Sequence, residues 1–137
     1  MTTAIAAPAD TRGRVLFIDD DDSVRRMTAR LLRRAGFAVA DFASARAALD
    51  YLATEEDEFD VLLTDAVMPE MTGTEAAERV AVLRPDIAVI FVSGHDSSAI
   101  GTDVLARPGR WFLPKPFRSE DLARQLDACL VLKEKGR

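Results

Sequence analysis

Five short apolar runs punctuate the chain, at residues 15–18, 38–42, 61–63, 87–92 and 111–113, and most are too uniformly apolar to leave one face in water. Strands of this kind belong inside a parallel sheet covered on both faces. Between them the apolar spacing lengthens to that of helices. Val24, Met27, Leu31 and Ala35 share one helical face, with Gly36 placed as a C-terminal cap. Ser44 can cap a second helix that turns Ala45, Ala48, Leu49 and Leu52 inward. Thr72 and Glu75 have capping-box spacing for a third, which carries Ala76, Val80 and Leu83 and stops before Pro85. Ser119 caps the last, with Leu122, Leu126, Cys129 and Leu130 on its inner side, so Cys129 reads as a core residue. A further helix between residues 97 and 107 is expected to be short or frayed, because Gly101 and Thr102 interrupt it and Pro108 forbids its continuation.

Five strands alternating with five helices predict a single α/β domain with right-handed crossovers and helices on both faces of a parallel sheet. The chain has 137 residues, 48% of them hydrophobic and 30% charged, which suits one globular domain and leaves no room for a second. Residues 1–12 read as a flexible arm, 13–132 as the folded domain and 133–137, KEKGR, as a charged tail that is a natural terminus or the start of a linker. A formal net charge of -5 argues against direct nucleic-acid binding, which needs a basic footprint. No apolar stretch has the length of a signal peptide or a membrane span. One cysteine excludes an intramolecular disulfide, and one histidine, His95, leaves too few soft ligands for structural zinc. These features together predict a cytoplasmic protein.

In such a sheet ligands bind beyond the carboxyl ends of the strands. Reading those ends gives Asp19 and Asp20 after the first strand, Asp65 after the third, Ser93 after the fourth and Lys115 after the fifth. Each has a plain structural explanation, since aspartates cap helices, serines end strands and lysines point at water. Together they share one crevice. Three carboxylates there repel one another and call for protonation or a cation, and hard oxygen donors favour Mg²⁺. A lysine and a hydroxyl beside them supply the other half of a phosphoryl clamp, which leaves a carboxylate as the nucleophile.

The segments VLFIDDDDSVR, LLTDAVMPEMTG, VIFVSG and FLPKPF resemble, in order and nearly in spacing, the four signature segments of response-regulator receiver domains of two-component signalling, over about residues 14–132. The resemblance implies a flavodoxin-like fold with strand order 2-1-3-4-5. It implies that Asp65 is the phosphoacceptor. Asp20 would ligate Mg²⁺ directly, Asp19 would act mainly through a bound water, and Val67 would offer the metal its backbone carbonyl. Ser93 and Lys115 would bind the phosphoryl group, Ser93 and Phe112 would act as the switch, and Pro116 would follow a cis bond. Asp21 and Asp22 lie outside this set and read as first-turn residues of a helix starting near Ser23. The implied function is a phosphorylation-dependent switch that takes its phosphoryl group from a histidine kinase or histidine phosphotransfer protein and acts on a downstream protein target. The reading leaves a phosphorylation-linked homodimer open. Catalysis would be confined to the domain's own phosphorylation and dephosphorylation.

Two other readings compete. Asp19, Asp21 and Ser23 mimic the nucleophile segment of haloacid-dehalogenase-type phosphohydrolases, but that family needs a further strand and acidic site after its lysine. A degenerate receiver acting only as a docking module would not need the full residue set. The chain departs from the receiver pattern at Arg107, Pro108, Gly109 and Arg110, where a small-Gly-Ala segment is usual, so the face built on the fourth helix is the part least like the family. Trp111 takes a packing role, and His95 an exposed loop position that shapes water access to the phosphoaspartate.

Overall fold

The computed structural model describes residues 11–94 and 102–135. Residues 1–10 of the expected arm, His95, the first part of the expected fourth helix and the last two tail residues lie outside them. The chain alternates β1 (Gly13–Ile18), α1 (Asp22–Arg34), β2 (Phe37–Phe42), α2 (Ala45–Thr54), β3 (Val61–Asp65), α3 (Gly73–Leu83), β4 (Ala88–Ser93), α4 (Thr102–Leu105), β5 (Arg110–Pro114) and α5 (Ser119–Lys135). All pairings are parallel, in the order β2-β1-β3-β4-β5. This is the flavodoxin-like topology expected, with the sheet reversing direction at β1 and β3.

Side-chain alternation divides the core. Leu16, Ile18, Leu62, Val89 and Phe91 pack with Ala45, Ala48, Tyr51, Leu52, Ala76 and Val80 of α2 and α3. Val15, Phe17, Leu63, Ile90 and Val92 pack on the other face with Ala29 and Leu32 of α1 and Leu122, Leu126 and Cys129 of α5. Every residue of β3 and β4 is buried, as strands covered on both faces must be. Cys129 is fully buried, and desolvation pushes its thiol up to about 12, so it is an inert core group. Trp111 packs against the α1/α5 side of the core.

The helix starts follow the local chemistry. Asp21 caps α1 by accepting from the Val24 amide at 3.1 Å, Ser44 caps α2 through the Ala47 amide at 3.1 Å, and Thr72 caps α3 through the Glu75 amide at 3.1 Å. Asp21 is thus the cap of α1, and only Asp22 is a first-turn residue. Gly36 follows the α1 C-cap with φ 102°, a backbone region open to glycine.

Several expectations about faces and ends are corrected. Met27 stands 64% exposed, and α1 buries Thr28, Ala29 and Leu32 instead, because two apolar stripes run side by side on this helix and the sheet covers the neighbouring one. Leu83 is likewise 38% exposed at the end of α3, where Ala76, Ala77 and Val80 hold the core. The last helix includes Ser119. Its cap position falls on Arg118, whose amide donates to the Asp121 carboxylate at 3.2 Å and whose carbonyl accepts from Leu122 at 3.2 Å. Among the described residues α4 covers Thr102–Leu105, so Thr102, expected to interrupt the helix, lies within it, and the helix stops before Pro108. Thr11 and Arg12 are tied to the fold: the Arg12 amide donates to Gly36 at 2.9 Å, and its guanidinium lies over the Phe37 ring and pairs with Asp127.

Arg84, the C-cap of α3, reaches across to the loop between α2 and β3. Its guanidinium donates to the carbonyls of Glu55 at 2.7 Å and Asp57 at 2.8 Å with only 11% of the side chain exposed. This loop carries five carboxylates in six residues, so one buried cation both satisfies its carbonyls and offsets its charge. Replacing Arg84 with Met keeps the stem and removes the donors. The expected loss is about 1.5–3 kcal/mol of stability, the range for hydrogen bonds to a charged group, seen as a lower urea midpoint with an unchanged slope. A midpoint equal to that of the parent would show that the clamp contributes nothing.

Candidate functional site

The crevice at the carboxyl ends of β1, β3 and β5 holds three carboxylates and one ammonium. Asp19 follows β1 and is almost completely buried. One of its oxygens accepts from the Asp21 amide at 2.9 Å, and the other faces Lys115 Nζ at 3.5 Å. Asp65 ends β3, is 8% exposed, and lies 2.8 Å from the same Nζ. Asp20, in the β1–α1 turn, is exposed. One oxygen from each of Asp19, Asp20 and Asp65 falls within 4.8 Å of the others. That is the spacing of donors around one hard cation, and a Lys115 ammonium alone leaves the group with excess negative charge.

The electrostatics of Asp65 follow. Burial foremost, with a hydrogen bond and a charge from Asp19 adding to it, raises its carboxyl from 3.8 to about 7, against the opposing pull of Lys115. For Lys115, burial works against the ammonium, but the hydrogen bond and charge of Asp65 and the charge of Asp19 outweigh it and raise its pKa. The lysine therefore stays charged while the carboxylates compete for it. A divalent cation among the three aspartates removes that competition, so the residues present fit such an ion.

Backbone construction brings these groups together. The Ala66 amide donates to Val92 at 2.8 Å and the Lys115 amide to Ser93 at 2.8 Å, which extends the sheet one step past its strands and aligns the three loops. Ser93 ends β4 one residue beyond Val92, the partner of Asp65 in the sheet, and is buried. Gly73 starts α3 against the back of Asp65. A Cβ there would meet the Asp65 carbonyl at 2.2 Å and the Ala66 Cα at 2.9 Å, so no larger residue fits without moving the Asp65 backbone. The Lys115–Pro116 bond is cis. Val67 lies two residues past Asp65 with its side chain 57% exposed, and Phe112 is partly buried against the α2/α3 side of the core.

The structure thus brings Asp19, Asp20, Asp65 and Lys115 together, ends β4 at the buried Ser93 and puts Val67 two residues past Asp65, while Phe112 packs on the α2/α3 side of the core and His95 lies outside the described residues. Two contributors escaped sequence reasoning. Gly73 closes the LLTDAVMPEMTG segment, and its role is visible only once α3 is seen against Asp65. Arg25, whose guanidinium donates to the Asp19 carbonyl at 3.0 Å, closes the VLFIDDDDSVR segment, but nothing in the spacing shows that its side chain folds back on the turn.

The chain belongs to the response regulator receiver domain family, whose model matches residues 15–127. It is 36% identical over 118 residues to the response regulator receiver protein CpdR of Brucella abortus (strain 2308), a match covering 86% of this chain and 97% of that protein. It is 38% identical over 116 residues to the sensor kinase CckA of the same organism, where the match covers 85% of this chain but 12% of the kinase. Among solved structures, a CheY-like receiver domain from Methanospirillum hungatei JF-1 superposes with a TM-score of 0.80 at 29% identity, covering 91% of this chain and 98% of that one. The family assignment leaves the phosphohydrolase reading without support, and the Asp19 carboxylate, buried and already engaged on both oxygens, is poorly placed to be a nucleophile.

The raised Asp65 carboxyl has a consequence for stability. Between pH 4 and 7 the folded protein holds a proton on Asp65 that the unfolded chain releases, so stability falls as pH rises through this window and the loss is complete above it. In metal-free buffer, Asp65→Asn is expected to melt progressively higher relative to the parent from pH 4 to pH 7, with a constant gap beyond. A gap independent of pH would show that Asp65 is not strained by its neighbours.

Proposed function

We propose that Asp65 accepts a phosphoryl group from a phosphohistidine, carried by a histidine kinase or a histidine phosphotransfer protein, and that the modified domain changes conformation to engage a downstream protein. The observation that carries this reading is the Lys115 ammonium shared between Asp65 at 2.8 Å and Asp19 at 3.5 Å inside a three-carboxylate cluster. The match within a sensor kinase supports a kinase as the partner. Among the described residues no helix is long and apolar enough to cross a membrane, which fits the cytoplasmic setting of such a partner.

Asp19, Asp20, Asp65 and the Val67 carbonyl would hold Mg²⁺, which would supply positive charge to offset the negative charge of the phosphoryl oxygens. An Asp65 oxygen attacks phosphorus, the P–N bond breaks, and its electron pair leaves on the imidazole nitrogen. Lys115 passes from neutralising two carboxylates to binding a phosphoryl oxygen, so its charge is retained throughout. Ser93 donates its hydroxyl to another oxygen. Asp19 stays fixed by the Asp21 amide and keeps the crevice negative when no phosphoryl group is present.

The switch follows from the same sheet edge. A Ser93 hydroxyl drawn toward the phosphoryl group vacates space on the side of Phe112, which can turn further inward. Phe112 has no polar atom to satisfy, so its burial carries no unpaired-donor penalty, and the inward state can be partly populated beforehand. Arg107 and Arg110, which distinguish this chain, lie on the segment between Ser93 and Phe112, where the output would be read.

The test is to treat the protein with acetyl phosphate and Mg²⁺, weigh it intact and follow amide exchange. One acid-stable, alkali- and hydroxylamine-labile phosphoryl group is expected, absent in Asp65→Asn. The largest exchange change should fall between Ser93 and Phe112, and Ser93→Ala should blunt it while Asp65 still accepts phosphate slowly. Labelling that persists in Asp65→Asn and disappears in Asp19→Asn would overturn the assignment. Exchange changes confined to Asp65 or α2 would overturn the switch.

A further inference from the structure

The β1–α1 turn that presents Asp19 and Asp20 is held from beneath by one side chain. Arg25 lies one turn into α1 with 13% of its side chain exposed, and its guanidinium serves three groups. It donates to the Asp19 carbonyl at 3.0 Å, pairs with Asp22 at 2.8 Å, and reaches Asp41 near the end of β2 at 3.3 Å. Asp41 is itself shared with Arg33 at 3.2 Å, so the fork is braced on the sheet as well as on the helix. From the other side the Asp19 amide donates to the Phe42 carbonyl at 3.1 Å. Asp19 is therefore gripped by both of its backbone polar groups, and its side chain then fixes Asp21 at 2.9 Å.

We infer that Arg25 is a positioning residue for the cation site, setting the turn so that the Asp19 and Asp20 carboxylates converge on Asp65; this rests on the function proposed above. A planar guanidinium can serve the Asp19 carbonyl and the Asp41 carboxylate at once, which a lysine ammonium at the same point cannot do with the same geometry. Asp41 is needed as the anchor that fixes the direction of the fork. The residues touching the metal are thus supported by a bridge from α1 to β2, the edge of the sheet farthest from β5.

The sign of one substitution separates positioning from charge. Arg25 is a cation close to a cation site, so if its charge were all that mattered, Arg25→Gln would tighten Mg²⁺ binding by relieving repulsion. If it positions the turn, the same change weakens binding, by about 10–100-fold as is usual when the support of a metal ligand is removed. Arg25→Lys keeps the charge and loses the fork, so positioning predicts weaker binding and charge alone predicts none. The experiment titrates the parent, Arg25→Gln, Arg25→Lys and Asp20→Asn with Mg²⁺ by calorimetry, and follows amide exchange in metal-free buffer. Weaker binding in both Arg25 variants is expected, together with faster exchange of the Asp21 amide and unchanged exchange of the Ala47 amide at the start of α2. Binding equal to or tighter than that of the parent in Arg25→Lys, or in a folded Arg25→Gln, would overturn the inference while leaving the proposed function intact. Parent-like binding in Asp20→Asn would instead remove the proposed metal site, and this inference with it.

Discussion

Too much like charge converges at one edge of the sheet. Asp19 and Asp65 are buried on neighbouring strands, Asp20 closes on them from the turn, and the single ammonium of Lys115 is divided between two of the three. A fold that gains most of its stability from apolar burial tolerates such a cluster only at its rim, where the sheet stops and solvent or a ligand can complete the neutralisation. The rest of the architecture serves that arrangement. Parallel strands bring their carboxyl ends to one side, the order β2-β1-β3-β4-β5 puts β1 and β3 next to each other, and the loops then supply the charges.

The same constraint explains why the surroundings are rigid. Carboxylates that repel must be held together by something other than mutual attraction. Gly73 lets α3 start in contact with the Asp65 backbone, the Ala66 and Lys115 amides continue the sheet ladder past the strand ends, and Arg25 and Phe42 grip Asp19 from both sides. Lys115 is held at the same point, between Asp65 and Asp19.

Much of this was legible because it is written in local periodicity. Buried parallel strands appear as unbroken apolar runs, so β1 and β4 stood out, and polar residues at their ends stood out against them. The caps at Ser44 and Thr72 were readable because a cap and its amide are three residues apart. Less legible was anything that depended on which of two faces the sheet would cover, and so Met27 was put with the face that packs when it is exposed. Least legible were side chains that bond to groups far along the chain. Arg84 to Glu55 spans 29 residues and Arg25 to Asp41 spans 16, and neither pairing leaves any periodic mark. Asp121 moved the cap of the last helix to Arg118, since a carboxylate reaching back three residues to an amide competes directly with a serine cap.

Asp19, Asp20 and Asp65 are spaced to hold a divalent cation, and residues 55–60 carry a second run of carboxylates that could compete for it. Manganese accepts the same hard oxygen donors as magnesium and broadens the nuclear resonances of nearby atoms. A titration of the labelled protein with Mn²⁺ is predicted to erase the amide signals of residues 19–22 and 65–67 first, with excess Mg²⁺ restoring them. Signals lost first from residues 55–60, or lost evenly over the surface, would contradict it.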